Sequence, residues 1–242
     1  MTEDISGEKT VTEAEWLACG LPYLMWGHLD NVVHVARRST GRRKLRLFAC
    51  ACCRAMWQFL PEADQRRAVE IAEAFADEQR DPAELAQARD RAWRSYCKLV
   101  KQHIAEGRPQ DQEKSHFRLA AHAAGWVAHK QVRDAAEKGA GNLQWIKTGQ
   151  DQDRLICEWL RDLFGNPFRL VSIDPRCVRW SDGTVVKLAQ AVYEERAFDR
   201  LPILADALEE AGCTNQDIFG HCRSGGEHVR GCWVVDLLLG KS

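Results

Sequence analysis

RRKLRLFACACCRAMWQFL, Arg42 to Leu60, is the stretch on which the fold reading turns. Leu45, Phe48, Cys52, Ala55, Met56 and Phe59 recur every three or four residues, which lines them along one side of an α-helix facing a core. Pro61 ends this helix or opens the next, over 62–79, with Val69, Ala72 and Ala76 turned inward. Toward the N-terminus, Thr12 and Glu15 spell a capping box for a short helix through Trp16 and Leu17. A weaker helical segment follows from Leu21 to Arg38. Toward the C-terminus, Asp81, Pro82 and Glu84 combine a cap, a proline at the first position and a carboxylate in the first turn. That helix is expected to stop at Gly107 and Pro109. An alanine-rich helix over 112–138 should then end near Gly139 and Gly141.

The last third changes character. A helix over 150–164 meets a stop at Gly165-Asn166-Pro167. Residues 168–182 read as an extended, partly buried connection with a short strand pair. Helices resume over 184–196 and 201–211, with a short one after Thr214 and a last one from His228 to Leu239. The expected fold is all-α: a multi-helix array of about nine or ten helices with a short extended segment around 168–182. It is read as a single domain over 1–242. A sub-boundary near 139–150 would divide an N-terminal part, 1–140, from a C-terminal part, 150–242.

The 242 residues are 45% hydrophobic and 29% charged with a formal net charge of −1, an ordinary globular balance that supplies no global field toward nucleic acid or membrane. No apolar run reaches the roughly 20 residues that span a bilayer. The polar, acidic start, Met1 to Val11, reads as neither a signal nor a transit peptide, so the cytoplasm is the expected compartment. There the ten cysteines should stay reduced, as small core residues, metal ligands or nucleophiles.

Two cysteine clusters stand out. Cys50 and Cys53 form a C-x-x-C, but inside a helix, where the dipole lowers a thiol pKa little; core packing is the expected role. Near the C-terminus, Cys213, His221, Cys222, His228 and Cys232 lie close in sequence. Zinc takes four nitrogen or sulfur donors in a tetrahedron. His228 and Cys232, at i and i+4 of the expected last helix, make one pair, and Cys213 with His221 or Cys222 could make the other. The metal ligands expected are therefore Cys213, His221, His228 and Cys232, with zinc as the cofactor. Cys50 and Cys53 would be an alternative second pair. Cys222 beside His221, ahead of Ser224-Gly225-Gly226, also permits a thiolate nucleophile with backbone donors, though no orienting third residue can be named.

Arg37, Arg38, Arg42, Arg43, Lys44, Arg46 and Arg54 form a basic stretch that could neutralise phosphates, with Arg42, Arg43, Lys44 and Arg46 as its centre. The acid-rich segment after it offers internal ion pairs instead. His122, Trp126 and His129 share a helix face, where packed or exposed histidines are the expected outcome. Five of the nine tryptophans, Trp57, Trp93, Trp126, Trp159 and Trp233, fall on helices as core or interface anchors. The chain has no phosphate loop, no G-x-S-x-G, no H-E-x-x-H and no dinucleotide fingerprint. That leans the reading toward a protein-interaction or regulatory module without catalysis, its partner another protein. The alternatives are a zinc-stabilised or Cys/His-dependent enzyme, and a nucleic-acid binder using 37–54.

Several segments resemble an uncharacterised family abundant in planctomycete genomes. They include TEAEWLAC (Thr12–Cys19), RKLRLFACACCRAMW (Arg43–Trp57), FGNPFRLVSIDP (Phe164–Pro175) and HVRGCWVVDLLLGK (His228–Lys241). The resemblance carries no established activity. It implies that the two ends of the chain belong to one ancestral unit, with the middle freer to vary.

Overall fold

The computed structural model describes residues 11–105, 112–146 and 150–241. The protein is 76% helical, with twelve α-helices and no strand among the described residues. These are α1 (Glu13–Ala18), α2 (Pro22–Asn31), α3 (Ser39–Ala55), α4 (Ala63–Ala76), α5 (Pro82–Ala105), α6 (Gln112–Val127), α7 (Val132–Ile146), α8 (Gln150–Phe164), α9 (Pro175–Glu195), α10 (Leu201–Glu210), α11 (Gln216–Cys222) and α12 (Trp233–Leu238). The chain splits into a central unit, His34–Ile156, and a terminal unit that joins Met1–Val33 to Cys157–Ser242. The second crossing falls inside α8, downstream of the 139–150 region. The stop expected at Gly107 and Pro109 lies outside the described residues.

In the central unit α3 is the hub, packed against α4, α6 and α7. The single apolar stripe understates its burial, because every residue from Lys44 to Cys53 is buried. Small side chains make this possible. On α7, a Cβ at Gly139 would stand 3.2 Å from the Cys52 Cβ and 3.5 Å from the Ala49 Cα, so glycine lets the two helices approach closely. Gly139 and Gly141 therefore do not end a helix, and α7 runs through both to Ile146. The break comes earlier, after Val127. The Arg46 guanidinium donates to the Val127 carbonyl at 2.7 Å, and the His129 ring accepts from the Gln131 amide at 3.2 Å. The one helix expected over 112–138 is thus two. At the start of α5 the Asp81 carboxylate accepts the Ala83 and Glu84 amides, both at 2.8 Å.

In the terminal unit the capping box of α1 forms in full, the Thr12 hydroxyl accepting from the Glu15 amide and the Glu15 carboxylate accepting from the Thr12 amide. Trp16 on this helix is fully buried. The extended stretch is shorter than 168–182, and no strand pair forms. Asp174 caps α9 at Pro175, and the helix crosses a break at Ser181, Asp182 and Gly183, all with positive φ. Asn215 caps α11 by accepting the Asp217 and Ile218 amides. Val185, Val192, Leu204, Leu208, Ile218 and Val234 belong to the apolar core that unites α9 to α12.

The last helix is also shorter than expected, beginning at Trp233 and not at His228. Asp162 takes the Val229 amide, and Gly231 sits at a φ of 96°, so 226–232 folds as a loop. His228 and Cys232 are not a helical i, i+4 pair.

Candidate metal centre

The last turns of α8 bury Ile156, Trp159, Leu160 and Leu163. Asp162 lies within that turn and is itself only 3% exposed. A carboxylate taken out of water needs partners for both oxygens. Asp162 Oδ2 accepts the Val229 amide at 2.8 Å. Its Oδ1 stands 2.7 Å from His228 Nδ1 and 3.0 Å from His221 Nε2. Burial by itself would raise the Asp162 pKa, but the two histidine hydrogen bonds outweigh it and hold the carboxyl below its ordinary value.

Three elements close on this carboxylate. His221 comes from the last turn of α11, His228 from the loop, and Cys232 from the residue that caps α12. Cys232 is fully buried, with its Sγ 3.2 Å from His221 Nε2. Burial, and then the charge of Asp162, push its thiol pKa well up. The two imidazoles meet edge to face with centroids 4.9 Å apart. Asp162, His221, His228 and Cys232 each offer one donor atom, and all four atoms lie within 4.8 Å of one another, so the cluster could hold a metal ion.

Proton bookkeeping shows what is unusual here. His221 Nε2 carries either one hydrogen or one lone pair. Protonated, it donates to Asp162 and has no lone pair for the Cys232 S–H. Unprotonated, it accepts from Cys232 and sets its lone pair against a carboxylate oxygen 3.0 Å away. A cation among the donors removes the conflict, since each then directs a lone pair at it. A tetrahedral zinc with bonds of about 2.0–2.3 Å spaces its donors roughly 3.3–3.8 Å apart. The contacts of 2.7, 3.0 and 3.2 Å and the 4.8 Å outer limit bracket that spacing.

Of the four ligands expected from sequence, the structure brings His221, His228 and Cys232 together. Cys213 is not with them and packs, partly buried, on the core of α9 to α12. Asp162 takes the fourth place. Its signal was an acid among the apolar residues of a helix, two positions before the FGNPF stop, Phe164–Phe168. Cys222 turns into the same core, 1% exposed, and burial followed by Asp162 pushes its thiol to about 12.

The basic segment divides: Arg37, Arg38 and Arg42 are exposed, and the residues from Arg43 onward are engaged internally. Arg43 pairs with Asp77 at 3.0 Å, and Lys44 and Arg46 are buried. Arg54 pairs with Glu73 and lies over the Trp57 ring at 4.1 Å. Of Arg42, Arg43, Lys44 and Arg46 only Arg42 is exposed, and it donates to the Arg37 carbonyl. Cys50, Cys52 and Cys53 are buried within α3, with thiols pushed up by burial first. His122 is held between Trp126 Nε1 and the Asn142 amide, both at 3.0 Å. Nε2 accepts from the indole, and the atom that meets Nδ1 is Asn142 Nδ2, with the donor and acceptor of that contact set by the ring tautomer. Of the five tryptophans, Trp159 is buried and Trp93 is 40% exposed.

No family model matches the chain, and neither the curated proteins nor the solved structures hold a significant match. Among the described residues, no helix is long and apolar enough to cross a membrane.

Proposed function

We propose that this protein is a zinc-stapled helical module, in which a structural zinc ion held by Asp162, His221, His228 and Cys232 fastens the α11–α12 segment to the last turn of α8. The observation that carries the reading is the contested His221 Nε2, which faces a thiol and a carboxylate at once and is relieved by a cation. Two nitrogens, one sulfur and one carboxylate oxygen suit zinc, whereas calcium and magnesium favour all-oxygen shells. Four protein donors leave no open coordination position, and open positions are what catalytic zinc sites keep. The centre is therefore structural and not catalytic, which supports a regulatory or interaction role.

A Cys232–His221–Asp162 nucleophilic triad is disfavoured on geometry. In a working triad the base uses one ring nitrogen for the nucleophile and the other for its carboxylate; here the thiol and the carboxylate both face Nε2.

Elemental mass spectrometry of untagged protein tests the reading. Zinc near one per chain is expected, lost in His228→Ala and Cys232→Ser and retained in Cys213→Ser. Substituted cobalt should show the intense visible bands of a tetrahedral site and a thiolate charge-transfer band absent from Cys232→Ser. A protein that takes up neither metal, or one whose zinc depends on Cys213, overturns it.

A further inference from the structure

The turn of α8 that supplies Asp162 also anchors the N-terminal helices. Arg161, the preceding residue, donates to the carbonyls of Trp16 and Cys19 at 3.1 and 2.9 Å. The Gly165 carbonyl accepts from the Trp16 indole at 3.0 Å, and Asn166 donates to Glu13 at 2.6 Å. Glu13 also pairs with Arg169. Neighbouring helix residues point about 100° apart, so Arg161 and Asp162 aim one turn at two different targets. A second route reaches the centre from the other side. A Cβ at Gly165 would come within 3.2 Å of the Trp233 ring, and that ring packs on His221 with centroids 5.2 Å apart.

We propose that metal occupancy at the Asp162 centre controls how firmly α1 and α2 are docked, because the centre and the dock share the last turn of α8. This rests on the metal reading above. With the ion bound, Asp162 is fixed by coordination, and the turn presents Arg161 and Gly165 in the positions that receive Trp16. Without it, Asp162 is held by hydrogen bonds from His221, His228 and the Val229 amide alone, the turn loosens, and α1–α2 opens at lower cost. What opening uncovers is apolar, since Trp16, Met25 and Leu29 are all fully buried. The exchange is a metal-controlled exposure of a hydrophobic surface. Coupling of this kind is reciprocal: whatever weakens the dock must weaken metal binding by the same factor.

Hydrogen exchange of the full chain with zinc and with chelator reads the coupling directly. Removing zinc should speed exchange in peptides covering 13–31 as well as 216–235, with far less change over 185–208, where the core of α9 and α10 acts as an internal reference. Arg161→Ala, which breaks the dock and leaves every ligand in place, should weaken zinc binding about fivefold or more, the lower end of typical coupling. Trp16→Phe, which removes the indole hydrogen bond and part of the buried ring but no ligand, should act in the same direction if Arg161→Ala fails to fold. Zinc that protects 216–235 and leaves 13–31 unchanged overturns the coupling while the metal reading stands. Equal change over 13–31 and 185–208 also overturns it, by making the effect one of global stability. Absence of bound zinc removes both.

Discussion

Cys52 in the central unit and Cys232 in the terminal unit are the same residue, both fully buried, and do different work. Beside Cys52 is Gly139 on α7, where an added Cβ would stand 3.6 Å from the cysteine sulfur, so that sulfur fills space where two helices come close. Around Cys232 the neighbours are an imidazole nitrogen and, through it, a carboxylate, so its sulfur is a donor. The two units extend the contrast. The central unit gains its close fit from alanine, cysteine and glycine along α3, α6 and α7, and pairs its charges sideways between helices, as Arg54 does with Glu73. The terminal unit buries a polar knot and needs it balanced. A buried cysteine thus has no role of its own; its role is set by whether the atoms it meets carry lone pairs.

The largest effect should follow Asp162→Ala, which strips three hydrogen-bonding partners from a buried site at once. Leaving such partners uncompensated costs about 3–5 kcal/mol. The loss should appear as faster hydrogen exchange confined to the terminal unit, with zinc uptake abolished. Equal loss over α3 to α7 would break the comparison. Next comes Gly139→Leu, expected to cost about 1–3 kcal/mol in the central unit by forcing a side chain against Cys52 and Ala49. A denaturant midpoint unmoved by that change would mean the α3–α7 contact is not close-packed.

Gly141→Ala sharpens the same point in the opposite direction. A Cβ there meets nothing within 4 Å, so the change should stabilise α7 by roughly 0.5–1 kcal/mol, read as a higher unfolding midpoint. The smallest effect concerns His28, buried on α2, stacked on Phe168 with ring centroids 4.7 Å apart, its Nδ1 without a hydrogen-bond partner among the described residues. Burial lowers its pKa, so the unfolded chain takes up the proton first. Its contribution is intact above about pH 6.5 and is lost as the pH falls through the lower folded value. His28→Phe should flatten that part of the pH–stability curve of zinc-free protein; an unchanged slope between about pH 6.5 and 5 would show that His28 is solvated in the fold.

Much of this was legible before any coordinates. Periodicity along Arg42 to Leu60 marked α3, and the cap signals at Thr12 and Asp81 placed the starts of α1 and α5, because those hydrogen bonds close within four residues of chain. Gly139 was misleading, since the reason for a glycine can lie on another helix, here at Cys52. His228 and Cys232 were read as a helical pair and meet instead across a loop, because Asp162 competes for the Val229 amide.

The sequence by itself determined the all-α class, most helix starts, and the residue types at the C-terminal cluster, all of them properties of local spacing and side-chain chemistry. The tertiary structure decided that Asp162 and not Cys213 completes the cluster, that Lys44 and Arg46 turn inward, and that the first 33 residues join the last 86 in one unit. Each of these depends on which distant atoms meet in a low-dielectric interior, where an unpartnered charge or donor is costly enough to choose the partner.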